Sequence, residues 1–473
     1  MQRTCLVVVL MYSIVTGSVQ SAENENADTP VSYWNDIRPI FQAHCQGCHQ
    51  PAKLGGEYDM TSFAKLVAGG ESSEAAIIPH DPDSSYLINQ ITPSDGAAEM
   101  PKDAKPLSDA EIETITKWVS AGAKDDTPES ARKRYDNDNP PSYSAAPVIT
   151  AVAFSPDGKT IAVGGYHEVL IHDVEKMLVG APSIAGRLIG LSERIESVSF
   201  SPDGKSIAVA GGSPARLGEL QIWNVADGTM QLSVGTLFDT CYGASWSPDG
   251  KLVAFGCPDN TVRAVEVASG KQVLFNGAHN DWVFDTVFSV KGTHLVTVSR
   301  DRSMKLIEVA TERFVDNVTS ITPGALKGGL HAVDRDPARD ELLIGGADGV
   351  PKIYRMFREK DRKIGDDFNL LRKFPSMNGR VFDVAYSADG MKIVAGSSYN
   401  GKGQVHVFET SSGKKLAEMK AIDGAVYTVA FSPDASTVVS GGFSGNLLVH
   451  DANSGELLKS VLPVPVVDTV AKQ

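Results

Sequence analysis

One short turn recurs seven times in this chain, and it constrains the fold more than any other feature. Ser155-Pro156-Asp157-Gly158 is followed by Ser201-Pro202-Asp203-Gly204, Ser247-Pro248-Asp249-Gly250, Ser289-Val290-Lys291-Gly292, Asp336-Pro337-Ala338-Arg339, Ser387-Ala388-Asp389-Gly390 and Ser432-Pro433-Asp434-Ala435. Ser or Asp at the first position, Pro presetting φ at the second and Gly at the fourth favour a type I turn. β-Branched and small residues alternate on either side, as in 160–165 and 251–256, so each turn joins two strands. Successive turns start 46, 46, 42, 47, 51 and 45 residues apart, close to the period of a four-stranded propeller blade. Seven such units close into a ring whose strand edges are short and protected. An unclosed solenoid is the weaker alternative, because neither end carries a capping repeat. The fold class read from the sequence is therefore an all-β seven-bladed propeller over 147–464, with a tail at 465–473.

At 473 residues the chain exceeds the roughly 250 to 300 at which single cores stop growing, so a second domain is expected. Residues 31–124 carry helical patterning and no repeat, and form a small all-α domain. Residues 125–146 (DDTPESARKRYDNDNPPSYSAA) are charged, proline-containing and poor in apolar residues, the composition of an exposed linker. Ahead of both lie Arg3, an apolar run over 5–15, small residues at 16–18 and Val19-Gln20-Ser21-Ala22 before Glu23. That is a secretory signal layout over 1–22, with cleavage expected after Ser21 or Ala22. The run is shorter than the roughly 20 residues needed to span a bilayer, so no transmembrane anchor is expected after cleavage. The location expected is periplasmic or otherwise extracytoplasmic. A net charge of -14 disfavours nucleic acid or an anionic membrane surface as a partner.

The chemistry is concentrated in Cys45-Gln46-Gly47-Cys48-His49. Two thiols three residues apart, at the end of a helix expected over 33–44, meet two haem vinyl groups while the following imidazole reaches the iron. One covalently attached haem c is the expected cofactor. A thioredoxin-like redox pair lacks its βαβ context, and half a zinc site lacks its second pair. For the sixth ligand the candidates are Met60, Met100, His44 and His80. His44 precedes Cys45 on the same turn and cannot reach the far face, while Met60 is only eleven residues beyond His49. Met100, in the loop Ala98-Glu99-Met100-Pro101, supplies a soft thioether that raises the reduction potential. It is assigned, with His80 the alternative. The next helix is marked by a capping box of Ser108 and Glu111, a stripe of Ile112, Ile115, Trp118 and Val119, and Gly122 at its end. That stripe is expected to cover the haem edge or the helix at Tyr33.

Residues 35–123 resemble the planctomycete-type cytochrome c domain. The resemblance rests on Ile37-Arg38-Pro39-Ile40-Phe41 before the haem motif, Gly55-Gly56 after it, 79–85, Met100-Pro101, Leu107-Ser108 and 118–123, and it departs at Lys102, where the family often has a second proline. It implies an electron-transfer module with His49 proximal and Met100 distal. From 147 onward the repeats resemble the WD-repeat family by turn and period, although Trp223-Asn224, His172-Asp173, His450-Asp451 and Ile307-Glu308 stand where its dipeptide would be. Gly277-Ala278-His279, with Asp301 in a later turn, resembles that family's structural pairing. His279, Thr297 or Ser299, and Asp301 are read as a hydrogen-bonded brace and not as a hydrolase triad. Cys241 and Cys257 lie symmetrically about 249, as cross-strand neighbours do. They are a possible disulfide, two buried thiols being the alternative.

The function expected is an exported monohaem cytochrome that transfers electrons, with the propeller docking a redox protein partner. No catalytic residue is assigned, and an electron-transfer protein is favoured over a stand-alone enzyme. Two rivals stand beside it: a redox enzyme with substrate or a second cofactor on the propeller face, and a haem-based sensor or scaffold.

Overall fold

The structure, a computed structural model, describes residues 30–467 apart from 51, 52, 73, 95, 103, 128–134, 238, 320–327, 362 and 364–366. The expected signal segment, part of the linker and the last six residues of the tail lie outside the described residues. No helix among the described residues is long and apolar enough to cross a membrane.

The N-terminal part is helical. A single π turn, Tyr33–Ile37, starts at Ser32, whose Oγ accepts from the Asn35 N–H at 2.9 Å. It runs directly into α1 (Arg38–His44), with Pro39 in the first turn where its missing N–H costs nothing. Two short helices follow, α2 (Phe63–Ala68) and α3 (Tyr86–Ile91). The longest is α4 (Asp109–Ser120), and its capping box forms as expected: the Glu111 N–H donates to Ser108 Oγ and the Ser108 N–H to Glu111 Oε2. The stripe of α4 buries Ile115, Trp118 and Val119. Of the two coverings expected for it, the Tyr33 turn is one, since Trp118 stacks on Tyr33 with ring centroids 5.6 Å apart.

From Val152 onward every sheet is antiparallel and ordered as in the sequence. All seven predicted turns form. The residue at each fourth position, from Gly158 to Ala435, donates its N–H to the carbonyl of the first. Glycine at position four takes φ near +70°, where a side chain would be strained. Sheet count differs from the expectation. Five sheets have four strands, but the first has seven, so six sheets stand where seven were expected. The cause is the 17-residue strand Ile184–Phe200, which closes one group of four and opens the next. No loop interrupts that strand, whereas 277–282 and 374–379 separate later groups.

The first strands of successive groups pack side by side in a circuit, and the last of them, Val426–Phe431, returns to Val152–Phe154. Turn packs on turn in the same order. Gly204 sits on Pro156, Gly250 on Pro202 and Gly292 on Pro248, while Gly158 sits on Pro433 of the last turn. The Ile149 N–H donates to the Gly442 carbonyl at 3.0 Å, and Tyr143 bridges to Val466. A shared core of Ile149, Val152, Ile161, Val439 and Val449 joins first to last. Helix α1 packs against the strand Met230–Leu237, which places the cysteine motif beside the second group.

Candidate haem site

α1 ends by delivering Cys45. Its N–H donates to the Phe41 carbonyl at 2.9 Å, and the N–H groups of Cys48 and His49 both donate to the Cys45 carbonyl at 3.1 Å. One turn therefore carries both thiols and the imidazole. Neither thiol is bridged; Cys45 is half-buried and Cys48 exposed. Burial, and then the nearby Cys48, push the Cys45 thiol up to about 12, so it is a neutral thiol at physiological pH. Gln46 Nε2 donates to the Met60 carbonyl at 2.7 Å, and the Met60 N–H to the His49 carbonyl at 2.9 Å. These bonds hold the loop that follows. His49 Nδ1 is buried without a hydrogen-bond partner. A Cβ on Gly55 would stand 3.2 Å from the Cys48 carbonyl oxygen, so glycine eases the close approach of the chain to the motif.

The four candidate sixth ligands have different surroundings. Met60 is buried in the core. His44 Nε2 lies 3.0 Å from Glu111 Oε1. His80 is exposed at the end of α4, where its N–H meets the Val119 carbonyl at 2.8 Å and its ring the Ser120 carbonyl at 3.1 Å. Met100, half-buried, packs on the rim of the same apolar core as Cys45. Its N–H is anchored to the Gln90 carbonyl at 2.9 Å, on α3. Two unbridged thiols, an imidazole with an unpartnered nitrogen and a thioether on a shared core are a donor set that suits haem c. Among the described residues no three His, Cys, Asp or Glu side chains converge to hold a bare metal ion.

Comparison with known proteins agrees with this division. Residues 45–104 match the family model of Planctomycete cytochrome C. Residues 142–173, 270–308 and 413–451 match that of the WD domain, G-beta repeat. The chain joins a cytochrome c domain to WD repeats. Actin-interacting protein 1-2 of Arabidopsis thaliana is 23% identical over 164 residues, which are 35% of this chain and 22% of that protein. The chain thus spans less than a quarter of that relative's length.

Within the WD repeats, His279 and Asp301 meet. His279 Nδ1 is 2.9 Å from Asp301 Oδ2, Nε2 is 2.7 Å from Thr297 Oγ1, and the Asn280 N–H donates to the same Asp301 oxygen at 2.9 Å. Ser299 instead donates to the Asp281 carbonyl. Burial alone pushes the Asp301 carboxyl up, but hydrogen bonds and charge from His279 outweigh it and hold the group well below its usual range. Cys241 and Cys257 are both buried thiols. The register Tyr242↔Gly256 continues to place them directly opposite one another, and Thr236 Oγ1 lies 2.9 Å from Cys241 Sγ.

A feature missed in the sequence is the lining of the central channel. The seven first strands of the WD repeats enclose a cavity of about 930 Å³. Five of them place a ring five residues before the turn: Tyr242, Phe284, His331, Phe382 and Tyr427. Successive centroids are 5.4, 4.8, 5.1 and 5.1 Å apart. The signal was present at a fixed offset from each turn, but the rings become neighbours only when the strands do. Asp285 and Asp383 also line the cavity, each accepting a backbone N–H from a following strand, Val333 at 2.9 Å and Val429 at 2.8 Å. Burial nevertheless pushes Asp285 up to about 8 and Asp383 to about 7. A raised folded-state value favours the protonated fold, so the stability it contributes is present at low pH and lost as pH rises through that value. The urea midpoint of the WD repeats, followed by circular dichroism, is accordingly expected to fall by the equivalent of about 1 kcal/mol or more from pH 5 to pH 8. Asp285→Asn should flatten that slope; a midpoint that rises over this range would count against the assignment.

Proposed function

We propose that this chain is an exported monohaem c-type cytochrome in which residues 31–124 carry electrons and residues 147–464 dock a redox protein partner. The observation that carries the proposal is the motif at the end of α1: two unbridged thiols and an imidazole on one turn, within a match to the cytochrome family. Cys45 and Cys48 would hold the haem covalently, and His49 and Met100 would ligate its iron. When bound, the group supplies a one-electron couple whose potential a Met ligand raises. The chain's own residues orient that couple. Gln46 and the Met60 backbone fix the loop beside His49, and the Gln90 carbonyl anchors Met100. Held by both His49 and Met100, the iron would supply electron transfer in preference to chemistry on a substrate.

The WD repeats are read as a seven-bladed propeller whose first two blades share the strand Ile184–Phe200. This reading is supported by the circuit of first strands and by the contacts that join Gly158 to Pro433 and Tyr143 to Val466. Propellers of this kind serve as interaction platforms, and a net charge of -14 favours a neutral or basic partner.

Met100→Ala tests the ligand assignment. The ferric wild type should show a far-red sulfur-to-iron absorption band and bind carbon monoxide poorly when reduced. The variant should lose that band, bind carbon monoxide readily and have a lower potential, with its haem still attached. Identical spectra for the two proteins would remove Met100 from the iron.

A further inference from the structure

The cavity inside the WD repeats is lined by acidic and aromatic side chains. Its wall contains Glu196, Asp285, Asp334 and Asp383, and neither lysine nor arginine. The one imidazole of the wall, His331, is held neutral near pH 7, since burial lowers it to about 4. Three of the four carboxylates accept backbone N–H groups from neighbouring strands. Glu196 does not: it makes no hydrogen bond or ion pair with another described residue. Its position explains why. Glu196 occupies the same place in its strand as the five collar rings, and with Thr150 it completes the circuit of seven. Thr150 Oγ1 is already engaged with the Ile195 carbonyl. Arg194, two residues from Glu196, is exposed, and its charge partly offsets the effect of burial on that carboxyl without a hydrogen bond between them. The collar is thus an arc of aromatic rings, with the Arg380 guanidinium 5.7 Å from the Phe382 centroid, closed by a carboxylate that makes no hydrogen bond with a described residue.

Burial raises the proton affinity of Glu196, Asp285, Asp334 and Asp383 alike, outweighing the opposing charge of Arg194 at Glu196 and of Arg335 at Asp334. Aromatic rings and carboxylates together suit a cation that is also partly apolar, whereas an anion would be repelled by the carboxylates. We propose that the channel binds an organic ammonium ion, its alkyl chain held by the arc Tyr242, Phe284, His331, Phe382 and Tyr427 and its charge by Glu196. Such a group comes either from a free alkylamine or from a lysine side chain on a docked protein.

Calorimetric titration of the full-length holoprotein with hexylammonium chloride, with hexanol and with a blocked Gly-Lys-Gly peptide decides the matter. Saturable binding of an ammonium probe, at least tenfold tighter than hexanol, is expected. Glu196→Gln should weaken it at least tenfold and Phe382→Leu severalfold, with thermal melting verifying that both variants fold. The tighter of the amine and the peptide identifies the source of the group. Equal binding of hexanol and hexylammonium, an unchanged affinity in a folded Glu196→Gln variant, or no saturable binding of either ammonium probe would overturn the proposal. So would a change in the haem spectrum that persists in Glu196→Gln, because the amine would then be at the iron.

Discussion

The double variant Cys45→Ala/Cys48→Ala is expected to retain no covalently bound haem. After denaturing electrophoresis its band should show no haem-linked peroxidase activity, while each single variant keeps one thioether and a reduced signal. The reason is local. Cys48 is exposed and Cys45 lies on the rim of the core, and neither side chain is needed to hold the turn, which is closed by backbone bonds from Phe41 to His49. Removing two sulfur atoms therefore removes the attachment and leaves the α1 turn intact. Far-ultraviolet circular dichroism of the WD repeats should be unchanged. Haem that stays with the double variant through hot detergent would contradict the reading of the motif.

Trp118→Ala is the substitution expected to cost most in stability. Trp118 is 1% exposed, stacks on Tyr33 at 5.6 Å, meets Phe63 edge-on at 6.2 Å and donates its indole N–H to the Lys124 carbonyl at 3.0 Å. Truncation leaves a cavity between α4 and the Tyr33 turn together with an unmatched carbonyl. Large aromatic deletions of this kind cost about 4 kcal/mol. A domain of this size holds roughly 5 to 15 kcal/mol in all, so the cytochrome part should unfold at much lower denaturant. The WD repeats, whose cores are separate, should keep their transition. Chemical denaturation followed both by haem absorption and by circular dichroism separates the two. A loss below about 1 kcal/mol in the haem transition would show that the stripe of α4 is not the centre of that core.

How much of this was legible in the chain depends on whether the signal is local. The seven turns were, because serine, proline and glycine set their dihedrals within four residues, and all seven form. The capping box at Ser108 and Glu111 was legible for the same reason. The fused first sheet was not: turn spacing counts repeats, whereas sheet number depends on whether the connection breaks, and Ile184–Phe200 does not break. Met100 could be placed in a loop, but its seat on the core that Cys45 also borders depends on α3 and Gln90 folding against it. His80 stood as the alternative to Met100; its left-handed backbone and its contact with the Ser120 carbonyl depend on the end of α4, forty residues away, and no local signal announces them. The collar needed closure of the circuit before Tyr242 and Tyr427 could belong to one site.

The most direct test of the central claim is the intact mass of the exported protein under reducing, denaturing conditions, followed by mapping of the peptide that contains Cys45 and Cys48. The account predicts a chain beginning at Ala22 or Glu23 and heavier by one haem, with the added mass on that peptide and neither cysteine open to alkylation. A chain of unmodified mass, with both Cys45 and Cys48 alkylated, would contradict it.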